Sequence, residues 1–164
     1  MELEKARQKA EQIRSTLAPY CERIEIAGSI RRRRLFVRDI DIVLIPSNQG
    51  QLLYQLQQLG QIKSGRQKLI RVEPCRYGIP IDVYVATPET WSMLLLIRTG
   101  SARHNVWLCS LAKNKGMKLH ADGSGLFRIE AQGCEAVEVR IAVDTEESIF
   151  KALGVPYKEP WERE

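Results

Sequence analysis

The chain lacks the features that define several large classes of protein. Its longest apolar run, Met93 to Ile97, is far shorter than the ~20 residues that a membrane-spanning helix needs. Its start has no basic segment followed by an apolar stretch, as a secretory signal would have. The 164 residues contain no internal repeat or low-complexity tract. These absences predict an intracellular globular protein of the cytoplasm or nucleoid, without membrane contact.

Cysteine patterns that bind metal are also missing. The four cysteines, Cys21, Cys75, Cys109 and Cys134, form no CxxC pair, and only one histidine, His104, lies within ten residues of a cysteine, Cys109. A structural zinc site needs such a cluster. We therefore expect buried or half-buried thiols in a reducing compartment.

The chain carries a net positive charge, and its basic residues are unevenly distributed. The net charge is +5, from 25 basic and 20 acidic residues. Residues 28–38 contain five arginines and no acid, and residues 98–118 contain five basic residues and no acid. This segregation favours a phosphate-binding face. Charge alone is equally compatible with a solvated surface on which basic residues cluster by chance.

Apolar spacing predicts an α+β chain with two lobes. Strand-like runs and crossing helices fill the first hundred residues, and a helix with small strands follows, so the predicted boundary lies near residue 100. The predicted helices cover residues 3–17, 50–59, 87–98, 102–115 and 145–153, and the predicted strands cover residues 23–27, 40–45, 67–73 and 79–85.

An aspartate pair heads one of the predicted strands. Asp39 and Asp41 are two residues apart, so in an extended strand their side chains point to the same face, roughly 6–7 Å apart. Two such carboxylates repel each other unless a cation lies between them. Mg²⁺ is the natural occupant because it prefers oxygen ligands and keeps positions open for substrate phosphates.

A Gly-Ser turn with arginines precedes this pair. Gly28 and Ser29 offer backbone N–H groups and a hydroxyl, and Arg32 can grip phosphate through two parallel hydrogen bonds. The combination predicts a triphosphate pocket beside the metal site. The structural alternative is a surface turn whose acids cap helices or pair with the arginines.

A third carboxylate, Asp82, lies within the predicted strand IPIDVYV. A lone acid among apolar neighbours is costly unless it is paired or binds a metal. If this strand lies beside residues 40–45, Asp82 joins Asp39 and Asp41 in a site for two metal ions. Asp82 is then placed to receive the proton of an attacking hydroxyl. A DxD pair alone also occurs in glycosyltransferases and calcium loops; the full pattern is far more specific.

These motifs together resemble the DNA polymerase β superfamily of nucleotidyltransferases, and more narrowly DNA polymerase family X. The family's Gly-Ser turn, DxD strand and third aspartate match the residues above. A second family signature, Thr-Gly-Ser before a helix with His-Asn just beyond, matches residues 99–105. Bacterial and archaeal members are similar in TGSARHNVWLCSLAKNKGMKL and in the ending TEESIFKALGVPYKEPWERE, with its terminal Pro-x-x-Arg.

The resemblance implies a fold and a cofactor. Residues 1–100 would form a polymerase β-like palm, a mixed or antiparallel sheet flanked by helices, and residues 101–164 a small α/β thumb. Two Mg²⁺ ions, with Mn²⁺ as a substitute, would be held by Asp39, Asp41 and Asp82. The family's lyase and helix-hairpin-helix domains are expected to be absent, as in a small viral member of the family.

The resemblance also implies ligand contacts. Gly28, Ser29 and Arg32 would bind the nucleotide phosphates. Thr99, Gly100 and Ser101 would lie against its sugar, and Asn105 would face its base. The implied partners are a dNTP and a primer-template or gapped DNA duplex, bound by a monomer. The implied DNA contacts are Arg31, Arg98, Arg103, His104, Lys113, Lys115 and Lys118.

The sequence departs from the family at three positions. Ile97 and Arg98 replace an aromatic pair that crowds the sugar 2′ position in many members, which predicts weaker rejection of ribonucleotides. Pro80 stands where a relative carries an arginine that tunes the third aspartate. Cys109 replaces a template-contacting arginine of some members.

The predicted function is template-directed DNA synthesis from dNTPs by two-metal phosphoryl transfer, with short-gap filling in repair as its setting. Two alternatives remain at this stage. One is a template-independent or RNA-directed nucleotidyltransferase, and the other is a nucleic-acid-binding module without catalysis.

Overall fold

The chain forms two units, Met1–Pro88 and Glu89–Glu164, in a computed structural model that describes residues 1–66 and 68–164. Side chains are described for all of these except residues 64–66 and 74. Among the described residues, no helix is long and apolar enough to cross a membrane.

The first unit is built around a five-stranded mixed sheet. The strand order is β1-β2-β5-β4-β3, with β2 and β5 parallel and the other neighbours antiparallel. Its strands are β1 (Cys21–Ile26), β2 (Ile40–Pro46), β3 (Gly60–Arg66), β4 (Leu69–Cys75) and β5 (Ile81–Val85), and its helices are α1 (Leu3–Leu17), α2 (Gly28–Arg31) and α3 (Gln49–Leu59).

Alternation along β2 gives the sheet a core face and an opposite face, here called the open face, on which Asp41 is partly exposed and Val43 is buried. Ile40, Ile42 and Leu44 are fully buried in one apolar cluster with the inner positions of α1 and α3. Because successive strand residues point to opposite faces, the side chain of Asp41 lies on the other face. Helices α1 and α3 therefore pack against the core face, and the Asp41 carboxylate lies on the opposite face.

The second unit pairs helices with a small antiparallel sheet of order β6-β7-β8. Its apolar cluster is centred on fully buried side chains such as Leu96, Leu108 and Phe150. The elements are α4 (Trp91–Thr99), α5 (Ala102–Asn114), β6 (Met117–Leu119), β7 (Leu126–Gln132), β8 (Glu135–Ile141) and α6 (Glu146–Ala152).

The structure confirms most of the predicted elements and corrects three. Strand β3 was not predicted, because residues 60–66 show no strand-like alternation of apolar residues. The Gly28-Ser29 turn is a one-turn helix. The helix predicted to open at Thr87 begins at Trp91, since residues 88–90 form a turn. The predicted start of the strand 67–73 at Gln67 lies outside the described residues.

The contacts divide the chain earlier than residue 100. Helix α4 belongs to the second unit because Met93, Leu96 and Ile97 are buried in that unit's apolar cluster. The assignment of residues 1–100 and 101–164 to a palm and a thumb stays a prediction.

A buried arginine near the end of the chain anchors the second unit. Arg163 is 0% exposed, and its Nη1 donates to Glu146 Oε1 at 2.7 Å. Its Nε donates to the Lys158 carbonyl at 2.9 Å, and its guanidinium lies over the rings of Phe150 and Tyr157. The arginine of the terminal Pro-x-x-Arg pattern therefore has a structural role.

We expect Arg163→Met to lower the free energy of unfolding of the second unit by about 3 kcal/mol, because it leaves the buried Glu146 carboxylate without its cation. Urea denaturation measures the change. The control, Arg128→Met, removes an arginine from an exposed pair with Glu130 and should change stability by less than about 1 kcal/mol. Equal losses in the two variants would contradict the prediction.

Candidate active site

A row of three charged residues crosses the open face of the first unit's sheet. Asp41 on β2 is in register with Asp82 on the parallel strand β5, and Asp82 is in register with Arg71 on the antiparallel strand β4. Residues in register on adjacent strands, about 4.8 Å apart, share a face of the sheet. The prediction that strand 79–85 lies beside strand 40–45 is confirmed, and Asp82 lies on the same face as Asp41.

Asp41 is packed against the turn that follows β1. The Ala27 backbone N–H donates to the Asp41 carbonyl at 2.8 Å. Gly28 has φ +59°, and a Cβ at this position would lie 1.8 Å from Asp41 Oδ2. Only glycine fits there, because the conformation is left-handed and the carboxylate occupies the space of a side chain. On the other side, the Tyr84 hydroxyl donates to Asp41 Oδ1 at 3.4 Å.

Crowding of negative charge makes Asp41 hard to ionise. Burial, followed by the charges of Asp39 and Asp82, raises the pKa of Asp41 to about 7. The Tyr84 hydrogen bond and the charge of Arg32 oppose this rise only in part. A cation beside Asp41 would favour the ionised carboxylate, as nearby positive charge does in general.

Asp82 shares a guanidinium with a neighbouring glutamate. Nη1 of Arg71 donates to both Asp82 oxygens, at 3.0 and 3.2 Å, and Nε of Arg71 donates to Glu73 Oε2 at 3.2 Å. Burial raises the pKa of Asp82, and Arg71 opposes that rise. The pKa of Asp82 is therefore raised by burial in an apolar strand and lowered by the charge of Arg71.

Asp39 completes the set of carboxylates predicted from the sequence. It lies at a bend just before β2, is half-buried, and its charge helps to raise the pKa of both Asp41 and Asp82. Within the described part of the chain, no three His, Cys, Asp or Glu side chains are gathered closely enough to form a ready metal cluster. Arg71 is bonded to Asp82 instead.

The aspartates nevertheless fit a hard divalent cation by their chemistry. They offer only carboxylate oxygens, the ligands that Mg²⁺ prefers. A bound ion would also offset the repulsion that raises the pKa of Asp41. The residues present are thus compatible with the metal that the sequence predicts.

The Gly-Ser turn presents polar groups beside Asp41. Gly28 opens α2, and the first residues of a helix leave their N–H groups without intrahelical partners. Ser29 Oγ is buried and has no hydrogen-bond partner among the described residues. Arg32 is close enough to lower the pKa of Asp41 partly. These groups fit an anion such as a phosphate.

In the second unit, the Thr-Gly-Ser motif joins α4 to α5. Thr99 ends α4 and is fully buried, and Gly100 follows with φ +77° and a cis peptide bond to Ser101. The Ser101 side chain caps α5 by accepting a hydrogen bond from the His104 backbone N–H at 3.2 Å. The motif therefore sets the start of α5.

Asn105 is held in place one turn into α5. Its Nδ2 donates to the Ile97 carbonyl at 2.8 Å, which fixes the amide plane. Its Oδ1 is buried, and no described residue donates to it. An oriented amide with an unused acceptor is suited to recognising a donor on a ligand.

The predicted DNA contacts differ in exposure. Arg103, Lys113 and Lys115 are exposed, whereas Arg31 and Arg98 are half-buried. Lys118 is exposed but donates to Glu138 at 2.6 Å, so its charge is partly neutralised. As DNA contacts these six residues remain predictions.

His104 is the exception, and we withdraw it as a DNA contact. His104 is only 2% exposed, and its ring packs near those of Trp107 and Phe150. The position faces the core because it lies one helical turn before Leu108, a fully buried residue of α5.

Three residues of the site were not predicted from the sequence. The sequence motifs assign no role to Arg71, Glu73 or Tyr84. The signal was their spacing: Arg71 and Glu73 are two apart, as are Asp82 and Tyr84, so each pair shares a face. Only the pairing and the register of the strands bring these residues close to Asp41 and Asp82.

Comparison with known proteins identifies related sequences. The DNA polymerase beta thumb family matches residues 94–164. Rattus norvegicus DNA polymerase lambda is 34% identical over 164 aligned positions, which cover 84% of this chain and 28% of that protein. The DNA polymerase/3′-5′ exonuclease PolX of Bacillus subtilis is 29% identical over 144 positions, which cover 84% of this chain and 24% of that protein. The chain thus spans about a quarter of the length of these curated relatives.

Solved structures share the fold. Leishmania infantum polymerase beta superposes with TM-scores of 0.81 in a ternary P/T complex and 0.82 in a ternary gap complex. Sequence identity is 22% and 20%, and the matches cover all of this chain and 76% and 70% of those chains. Residues 94–164 thus belong to the DNA polymerase beta thumb family, and the chain as a whole is similar to family X DNA polymerases, which confirms the resemblance predicted from the sequence.

Proposed function

We propose that the chain is a DNA-directed DNA polymerase that transfers nucleotides from dNTPs to a primer 3′-hydroxyl. The observation that carries the proposal is the register of Asp41 with Asp82 on one sheet face, directly beside the Gly28-Ser29 turn. In-line phosphoryl transfer needs carboxylates that hold metal ions next to groups that hold a triphosphate. The similarity to family X DNA polymerases supports the same chemistry.

Asp39, Asp41 and Asp82 would hold two Mg²⁺ ions in this proposal, with Mn²⁺ as a substitute. When bound, the ions neutralise the triphosphate and stabilise the attacking and leaving oxygens. The buried Ser29 hydroxyl, the N-terminal amides of α2 and the Arg32 guanidinium bind the β and γ phosphates.

Asp82 is the residue we assign to proton transfer. Burial raises the pKa of its carboxyl, which makes it a stronger base than an exposed aspartate. Its place beside Asp41 puts it next to the reacting groups, so it receives the proton of the primer 3′-hydroxyl. By the resemblance to family X, we assign Thr99, Gly100 and Ser101 to the nucleotide sugar and Asn105 to its base.

Gapped DNA is the substrate we favour. The related Leishmania polymerase has been captured in a gap complex as well as a P/T complex. The proposed setting is therefore short-gap filling in DNA repair.

Primer extension with each dNTP supplied singly, on gapped, ungapped and template-free primers, tests the proposal. We expect incorporation that requires a divalent ion and follows the template base, with gapped DNA extended fastest. Asp39→Ala should lose this activity while retaining DNA affinity. Extension without a template would favour the tailing alternative, and unchanged extension by Asp39→Ala would refute the metal site.

Binding of duplex DNA should weaken steeply with salt, because basic side chains that neutralise phosphates release counterions. If about four phosphates are contacted, affinity should fall by roughly 10²-fold between 50 and 200 mM salt. Fluorescence anisotropy with labelled primer-template measures the slope of log affinity against log salt.

The exposed lysines at the end of α5 provide a matched comparison for that slope. Lys113→Gln/Lys115→Gln should reduce its magnitude by about two, one for each lost phosphate contact. The control is Lys151→Gln, which lies in the acidic final segment and should leave the slope unchanged. A slope insensitive to the double variant would exclude these lysines from the DNA interface.

A further inference from the structure

Arg71 is a charged residue of the open sheet face to which neither the sequence motifs nor the proposed reaction gives a role. Its Nη1 donates to both oxygens of Asp82, at 3.0 and 3.2 Å, and its Nε donates to Glu73 Oε2 at 3.2 Å. One guanidinium therefore bridges a proposed metal ligand and a second carboxylate. Glu73 lies two residues from Arg71 on β4, so it points to the same face.

The side chains of Arg71 and Glu73 are more exposed to solvent than that of Asp82. The Asp82 side chain is 11% exposed, whereas those of Arg71 and Glu73 are 36% and 42% exposed. The Asp82 contact uses a single guanidinium nitrogen, and lacks the paired N–H geometry that makes arginine-carboxylate bonds strongest. Arg71 can therefore leave Asp82 for solvent and remain paired with Glu73.

Charge explains why this bond is present. Asp82 lies on one sheet face with Asp41, and the charge of Asp39 reaches both. Three carboxylates need positive charge nearby. Arg71 supplies this positive charge at the place where a divalent ion bound by Asp82 would lie. The guanidinium and the ion would repel each other, because both are cations.

We propose, building on the proposed metal-dependent function, that Arg71 is a placeholder for the divalent cation. Its guanidinium holds the Asp82 carboxylate in the metal-free protein and withdraws to Glu73 when an ion binds. Arg71 is thus a positioning residue that acts through Asp82, and Glu73 is the acceptor that makes the exchange reversible.

Titration with Mn²⁺ alone, followed by electron paramagnetic resonance, tests the exchange without catalysis. Arg71→Gln should bind Mn²⁺ about tenfold more tightly than the wild-type chain, because no cation competes for Asp82. Glu73→Gln should bind it about threefold more weakly, since the displaced guanidinium then lacks a carboxylate partner. The charge-matched control is Arg14→Gln, which removes an exposed arginine paired with Glu11 and should leave Mn²⁺ affinity unchanged.

The double variant separates an exchange from a general change in charge. If Glu73 acts through Arg71, Glu73→Gln has no effect on Mn²⁺ affinity once Arg71 is glutamine. A general effect of charge would weaken binding equally in both backgrounds and would overturn the proposal. Arg71→Lys, which keeps the charge but not the guanidinium, should give an affinity between those of the wild-type chain and Arg71→Gln, and it serves if the glutamine variant does not fold.

Failure of this inference is distinguishable from failure of the proposed function. Wild-type binding of Mn²⁺ that Asp39→Ala removes, together with an unchanged or weaker affinity in Arg71→Gln, refutes only the role of Arg71. Absence of Mn²⁺ binding by the wild-type chain and by Arg71→Gln refutes both.

Discussion

Asp41→Asn is expected to lose nucleotide transfer by about 10³-fold or more and, at the same time, to stabilise the metal-free protein. The activity falls because a neutral amide is a poor ligand for a hard cation, and metal stabilisation of the transition state is worth several kcal/mol. The stability rises because the buried carboxylate no longer has to ionise beside Asp39 and Asp82.

The sign of the pH dependence follows from the direction of the shift. The pKa of Asp41 is about 7 in the folded chain and about 3.8 in the unfolded chain, so between these values the folded state binds more protons. Stability of the metal-free protein therefore falls as pH rises from about 4 to about 7 and changes little above that for this group. At pH 8, Asp41→Asn should be more stable than wild type by roughly 2–4 kcal/mol, with a smaller gain at pH 5.

Thermal denaturation at pH 5 and pH 8, with and without Mg²⁺, measures both effects. Mg²⁺ should raise the midpoint of the wild-type chain and leave that of Asp41→Asn nearly unchanged. Glu130→Gln, which removes one exposed carboxylate from the second unit, is the charge-matched control and should show neither effect. A destabilised Asp41→Asn at pH 8, or one that Mg²⁺ stabilises as much as wild type, would contradict the assignment of Asp41 as a metal ligand whose ionisation is opposed by burial and by its acidic neighbours.

Gly28→Ala is expected to reduce nucleotide transfer by about 100-fold or more. An alanine Cβ would lie 1.8 Å from Asp41 Oδ2, so the carboxylate must move away from the Gly-Ser turn. Misplacement of a catalytic group by about 1 Å costs on the order of 10²-fold in rate. The positive φ of +59° adds about 1–2 kcal/mol of backbone strain, so stability also falls.

Gly78→Ala is the matched control for the backbone effect. Gly78 has φ +69° in the same unit, but a Cβ there would meet nothing within 4 Å. It should lose about 1 kcal/mol of stability and keep its primer-extension activity. Steady-state extension rates and urea denaturation of both variants give the comparison. If Gly28→Ala retained the activity of Gly78→Ala, the close contact between Gly28 and Asp41 would have no catalytic importance.

The sequence predicted helices correctly where the local residue pattern agrees with the packing of the folded chain. The spacing of Leu3, Ala6, Ala10, Ile13 and Leu17 predicts α1, and the predicted start of the last helix at residue 145 coincides with its cap, Thr145. Tertiary contacts determined the structure at positions where the local sequence pattern predicted it wrongly. Thr87-Pro88 matches a helix start, yet α4 begins at Trp91, and His104, two residues beyond an exposed Ala102, is turned into the core.

By itself, the sequence predicted that three aspartates and a Gly-Ser turn belong to one chemical site, because carboxylates in apolar strands need a cation and a triphosphate needs backbone N–H groups and arginine. Only the tertiary structure decided that Arg71, from a strand with no such motif, is bonded to Asp82, and that Gly28 leaves no room for a side chain beside Asp41. The reason is that register and close approach depend on which strands pair across the sheet, and residue spacing along one chain does not encode that pairing.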